Sequence, residues 1–126
     1  MSVGNNQKKI NMDTKIKDAS VKVMLSYDYS PTEEWLQFIR GYKPDDSMPL
    51  LKFVSEILPK GWYMADWGFV LHRKYKGKIK LELHTGGWSG NEEVISAILS
   101  NIWLTHFQMQ YVMWKAGGHY YFDISV

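Results

Sequence analysis

The 126-residue chain contains no cysteine, and that absence removes disulfides, thiolate metal sites and cysteine nucleophiles together. Nothing in it calls for an oxidising compartment. It also lacks any run approaching the ~18 consecutive apolar residues of a membrane span. Its polar, Asn- and Lys-bearing N-terminus has no apolar core of a signal peptide, so a cytoplasmic protein is expected. Charge of one sign is scarce: 15 basic against 13 acidic residues leave a formal +2, too little to imply a general nucleic-acid or membrane partner. Any polyanion contact has to be local. Repeats, low-complexity segments and internal linkers are missing as well.

What remains is a chain of single-domain size, 45% hydrophobic and 15% aromatic, ample for one packed core. Residues 1–18 are polar, aperiodic and carry Lys8, Lys9, Lys15 and Lys17, which predicts a solvated, mildly basic arm ahead of one domain at 19–126. Val21, Val23, Leu25 and Tyr27 alternate with Lys22, Met24 and Ser26, the period of a half-buried strand. Ser30-Pro31-Thr32-Glu33 has the serine, proline and glutamate of a helix start, and a helix to Gly41 puts Trp35, Leu36 and Ile39 on one apolar stripe. Ser47 can cap a second helix with Leu50, Leu51, Val54, Ile57 and Leu58 on one face, ended by Pro59 and Gly61.

The stretch from Trp62 to His84 reads as strand material folded about Lys76-Gly77-Lys78. Pairing Tyr75 with Ile79 matches the two apolar faces and sets His72 across from Glu82, Lys74 from Lys80, and His84 from Val70. Opposed Lys74 and Lys80 should then be solvated or share an anion. Ser89 with Glu92 forms a second capping box, and Val94, Ile95, Ile98, Leu99 and Ile102 give the stripe of a third helix. Beyond it, Phe107, Met109, Tyr111 and Met113 alternate with glutamines, while Phe107, Tyr111 and Trp114 also fit a helical spacing, so residues 104–115 read as strand or as helix. Gly117-Gly118 offers a two-residue hairpin turn with positive φ at both positions. Pairing Ala116 with His119 puts Met113 opposite Phe122, Tyr111 opposite Ile124, Met109 opposite Val126 and Trp114 opposite Tyr121. The other face would hold Gln108, Gln110, Trp114, His119, Tyr121 and Asp123. The order β-α-α-β-β-α-β-β predicts an α+β fold, an antiparallel sheet of about five strands with helices packed on one face.

Chemistry is concentrated in His84-Thr85-Gly86-Gly87-Trp88-Ser89-Gly90-Asn91-Glu92. Three glycines and a tryptophan between a strand and a helix are unfavourable unless the backbone bends sharply or approaches something closely. Such a turn can present backbone N–H groups to a phosphate, with Trp88 stacking a base or sugar. Against this, Glu92 and Glu93 already complement the helix dipole, and the spacing matches neither a P-loop nor a dinucleotide fingerprint. The bland alternative is a tight turn plugged by Trp88. His84 and His119 both adjoin glycine-rich turns and could converge with Glu92 or Glu93 as an acid–base set. No His-x-x-His or His-Glu-x-x-His spacing exists, so no metal or cofactor is implied. Ser89 is better explained as a cap than as a nucleophile. His72 can pair with Glu82, His106 borders the last hairpin, and Met109 and Met113 read as core fillers.

The segment 84–92, followed by Gly117-Gly118-His119-Tyr120-Tyr121-Phe122, resembles a family of small phage and prophage proteins over roughly residues 62–124. The resemblance implies a phage origin, hence the host cytoplasm, and a pairing of the two segments, without a particular activity. Accessory proteins of that kind often bind and block a host defence system or host enzyme, which is an association with fold and origin and no derivation. The expectation is therefore a non-enzymatic binding protein. Its site would comprise His84, Thr85, Gly86, Gly87, Trp88, Ser89, Asn91, Glu92, Trp114, His119 and Tyr121, holding a small nucleotide-like ligand or a host protein surface. Two other readings stay open: a small hydrolase or transferase using His84, His119 and Glu92, and a structural, homo-oligomeric particle component.

Overall fold

A computed structural model describes residues 24–73 and 77–125. The expected arm, Val21, Val23, Lys74, Tyr75 and Val126 lie outside the described residues. Those described form one α+β unit: α1 (Glu33–Gly41), α2 (Leu50–Lys52) continued by a π turn (Phe53–Ile57) and a 3-10 turn (Leu58–Gly61), α3 (Ala65–Gly68), β1 (Phe69–Arg73), β2 (Lys78–His84), α4 (Ser89–Ser100), α5 (Ile102–Phe107), β3 (Met109–Lys115) and β4 (His119–Ser125). The described sheet is antiparallel, with four strands in the order β1-β2-β4-β3 rather than about five. Leu25 makes an isolated bridge to Pro31, and Ser26 to Ser30 form a turn that leaves Tyr27 fully exposed, so the expected first strand does not extend through them.

That bridge also moves the first helix start. Pro31 is still extended and Thr32 donates its N–H to Met24 O (2.7 Å), so Thr32 becomes the cap in place of Ser30 and its Oγ1 accepts from Trp35 N (3.2 Å). Trp35, Leu36 and Ile39 are buried as their spacing predicts. Ser47 does not cap the second helix. Asp45 accepts from Ser47 N (2.9 Å) and Met48 N (2.7 Å), and the helix begins after Pro49. Its widening into a π turn rotates the buried face: Leu51 is exposed and Phe53 takes a place in the core.

Trp62 to Gly68 is not strand. Asn91 engages both backbone groups of Tyr63 that a strand would offer a neighbour: Oδ1 accepts from Tyr63 N (3.0 Å) and Nδ2 donates to Tyr63 O (2.9 Å). Met64 then turns through φ 61° into α3. Gly68 packs on the His84 carbonyl, where a Cβ would collide, and this fixes Phe69 opposite Leu83. The hairpin is thus shifted two residues from the expected register. Faces are kept, but His72 stands across from Lys80 and Val70 from Glu82, and His72 reaches Glu82 on the diagonal at 3.1 Å.

Asn101 separates α4 from α5 and binds three buried backbone groups: its Nδ2 donates to Ile39 O and Tyr42 O (2.8 Å each) and its Oδ1 accepts from Leu104 N (3.0 Å). Ile102 therefore leaves the α4 stripe and is exposed, while Val94, Ile95 and Ile98 are buried. Residues 104–115 are both things in turn, helix to Phe107 and strand from Met109. Ile79, Leu81, Leu83, Phe122 and Ile124 line the sheet face that joins Trp35, Ile39, Phe53, Val94 and Ile98 in the core. Among the described residues, no helix layer covers the opposite face. No described helix is long and apolar enough to cross a membrane.

Candidate functional site

The two glycine-bearing segments lock together along the β2–β4 pairing, where His84 stands directly across from His119. Thr85 N donates to Gly118 O (2.9 Å), and a Cβ on Gly118 would run into Thr85 Oγ1. That hydroxyl donates to Glu92 Oε1 (2.9 Å), whose Oε2 accepts from Tyr120 OH (2.8 Å). Trp114, half exposed, stands across from Tyr120 in the β3–β4 pairing. Burial, then the bond and charge of Glu92, raise Tyr120 above the ordinary tyrosine range. The expected Ser89–Glu92 capping box is not made, because Glu92 is committed to Thr85 and Tyr120. Trp88 is the N-cap residue without a side-chain cap bond, and Ser89 is the first helical residue.

Trp88 goes elsewhere again. Its indole folds over Gly90, where a Cβ would lie 2.9 Å from both the Trp88 and the Pro31 side chains, and it packs on Tyr63 at 4.9 Å. Tyr63 in turn packs on Tyr29 at 5.1 Å. Gly86 and Gly87 turn the chain at φ 64° and 76°, and a Cβ on Gly86 would lie 3.1 Å from Trp67.

Register decides what the last hairpin contributes. Lys115 pairs with His119 around a three-residue turn, 116–118, with positive φ at Gly117 and Gly118, and a bulge falls between Tyr111 and Met113. The expected two-residue turn fails because Gly118 is held by Thr85. Met113 consequently faces Tyr121 in place of Phe122, Tyr111 faces Phe122, Met109 faces Ile124, and Trp114 faces Tyr120 in place of Tyr121. Alternation along β4 puts Tyr120 and Phe122 on the helix side and His119 and Tyr121 on the uncovered side. Trp114 and Tyr121 are on opposite faces, and Met113 is exposed rather than a core filler.

Of the residues expected to form one site, the fold brings together His84, His119 and Tyr121. The histidines touch, Nδ1 to Nδ1 at 2.7 Å, so one nitrogen donates and the other accepts. Burial first, and His119 second, hold His84 below the ordinary histidine range, with Glu82 acting in the opposite sense. The Tyr121 ring lies 6.1 Å from the His84 ring. Lys80 Nζ stands 5.6 Å and Lys115 Nζ 5.7 Å from the Tyr121 ring centre. Trp67, exposed, closes the His84 side at 6.0 Å. Thr85, Asn91 and Glu92 belong to a structural clasp, Trp88 to a separate aromatic stack, and Trp114 to the exposed part of β3.

Lys80, Lys115 and Trp67 were not expected as site residues. Lys80 shares a face with Glu82 and His84 by simple alternation, so β2 carried a signal for it. Lys115 joins that face through a bulge, and Trp67 through a helix in a segment that reads as strand; neither was visible in the spacing. Among the described residues no group of three or more His, Asp or Glu side chains could hold a metal ion.

The architecture defines a class, an α+β protein built on a four-stranded antiparallel sheet, one face of which is uncovered among the described residues. No family model, curated protein or solved structure matches the chain.

Proposed function

We propose that the protein is a non-enzymatic binding protein whose uncovered sheet face holds a phosphate-bearing, nucleotide-like ligand. The observation that carries this reading is the Tyr121 ring with Lys80 and Lys115 converging on it from two neighbouring strands, beside the His84–His119 pair. An aromatic platform on a sheet can stack a base, and flanking ammonium groups can meet phosphate oxygens. The local carboxylates are engaged: Glu82 pairs with His72 at 3.1 Å and approaches Lys80 at 3.9 Å, and Asp123 has an interaction of its own. In the phage setting that the resemblance implies, capture of such a ligand, or of a host protein by the same face, would inhibit a host enzyme or defence system.

Titration calorimetry with a mononucleotide, a dinucleotide and inorganic phosphate tests this. Tyr121→Ala should weaken nucleotide binding about tenfold or more, the loss of one stacked base, and Lys80→Ala with Lys115→Ala should reduce binding of all three. Trp88→Ala should leave affinity unchanged. If parent and Tyr121→Ala proteins bind equally, or neither binds, the reading fails. The hydrolase reading would need Glu92 beside the imidazole pair, and Glu92 is bonded to Thr85 and Tyr120.

A further inference from the structure

We infer that β3 is a self-association edge: two copies of this chain pair antiparallel through β3 to make one continuous sheet. β3 is the outermost strand beside β4, so one side of its backbone has no neighbour among the described residues. Tyr111, Val112, Met113 and Trp114 are consecutive and are 41%, 53%, 40% and 54% exposed. Four adjacent exposed apolar side chains on a seven-residue free edge are what soluble proteins avoid unless the edge is used. The opposite edge shows the contrast, since β1 has five residues and ends in His72-Arg73.

The bulge shapes this edge. Tyr111 and Trp114 are three residues apart and would point to opposite faces in a regular strand. Because the register shifts between Tyr111 and Met113, Tyr111 faces Phe122 and Trp114 faces Tyr120, so both rings stand on the helix side. They form a ridge flanking the free backbone.

The occupant is argued from charge and symmetry. β3 carries no acidic residue and one cation, Lys115, at its end. A two-fold axis between Val112 and Met113 sets Tyr111 against Trp114 of the second copy on the helix side and Gln110 against Lys115 on the other face, so that the bulge keeps paired residues on one face. It separates the two Lys115 by about 17 Å along the strands at ~3.4 Å per residue. The strand is thus self-complementary, as a closed dimer requires. Each half-exposed side chain offers on the order of 100 Å². With the backbone edge and the exposed Phe107 of α5, that approaches the lower range of specific interfaces, roughly 600 Å² per partner. A dimer dissociating in the micromolar range is expected. The axis is perpendicular to the sheet, so both Tyr121 faces would lie on the same side. The pairing does not depend on what that face binds.

Sedimentation velocity from roughly 2 to 200 µM, a span that brackets micromolar dissociation, should show a rising dimer fraction. Val112→Lys and Trp114→Lys should each leave far-UV circular dichroism unchanged and give a monomer throughout. The chain has no cysteine, so Val112→Cys introduces a single thiol. Beside the two-fold its Cα atoms lie about 6 Å apart, a strand-pair spacing offset by one residue, which is within disulfide range. Oxidised Val112→Cys protein should cross-link quickly, and Ser96→Cys, on the exposed side of α4, slowly. A parent that stays monomeric, a dimer indifferent to Val112→Lys, or equal cross-linking at the two positions would overturn the inference. Nucleotide titration of the Val112→Lys monomer separates the two proposals, since its Tyr121 face is intact.

Discussion

Asn91→Ala distinguishes a clasp from a ligand site within the glycine-rich segment. Asn91 is 2% exposed and its amide serves Tyr63 N at 3.0 Å, Tyr63 O at 2.9 Å and, more distantly, Thr85 O at 3.5 Å. Alanine removes all three partners and leaves two groups of the Tyr63 backbone without one. Each orphaned buried group costs about 1–3 kcal/mol; Tyr63 is half-buried, so the lower part of that range applies, and the total is about 2–4 kcal/mol. For a domain near 100 residues, a loss of that size lowers Tm by roughly 8–20 °C. Asn91→Asp should be nearly as damaging, because it keeps the acceptor for Tyr63 N but presents a carboxylate oxygen to Tyr63 O. Differential scanning calorimetry reads both. Nucleotide affinity, measured where each variant is folded, should match the parent's. An Asn91→Ala protein that melts within about 2 °C of the parent yet binds no nucleotide would refute the clasp and return Asn91 to the ligand site; that margin is under 1 kcal/mol.

Gly118→Ala should unfold the protein or lower Tm by more than 10 °C, roughly the effect of overpacking plus a positive φ, because its Cβ meets Thr85 Oγ1 at φ 80°; Gly87→Ala, with open space around it, should show only the smaller backbone strain at φ 76° in the same melt. Asn101→Ala leaves Ile39 O, Tyr42 O and Leu104 N without its amide, a loss of about 3–5 kcal/mol by denaturant titration, and an unchanged midpoint would contradict it. The folded chain holds His84 below its ordinary value, so protons favour the unfolded state: stability present above about pH 6.5 should fall as pH drops toward the folded value. His84→Gln should flatten Tm between pH 7 and pH 5, and an identical decline in parent and variant would remove His84 as the cause.

Periodic stripes were legible because each position reports burial on its own: Trp35, Leu36 and Ile39 on α1, Val94, Ile95 and Ile98 on α4, and Ile79, Leu81 and Leu83 on β2 all face the core. Features set by distant partners were not. The first cap moved to Thr32 because Met24 O holds its N–H, and strand pairing at Trp62–Gly68 gave way to the Asn91 amide. The β3–β4 turn lengthened because Thr85 holds Gly118. One such residue was enough to shift the register and send Trp114 to the face opposite Tyr121. The convergence of His84 with His119 needed only that β2 and β4 be neighbours, and that much survives a register error.

The glycines of the first segment invite comparison with phosphate-cradling loops, yet their surroundings account for most of them. Gly90 has no Cβ because Trp88 and Pro31 occupy its place, Gly118 because Thr85 does, and Gly86 turns at positive φ beside Trp67. Thr85, Asn91 and Glu92 spend their hydrogen bonds inside the fold. A residue whose polar atoms are already satisfied and buried has little left to offer a ligand, because binding would first have to break what holds it. The groups with capacity to spare are on the other side of the same junction. The clasp aligns β2 with β4 so that His84 meets His119, and the same alignment sets Tyr121 between Lys80 and Lys115. The glycine-rich segment thus supports the proposed binding face by fixing strand register, and a ligand on that face need not touch it at all.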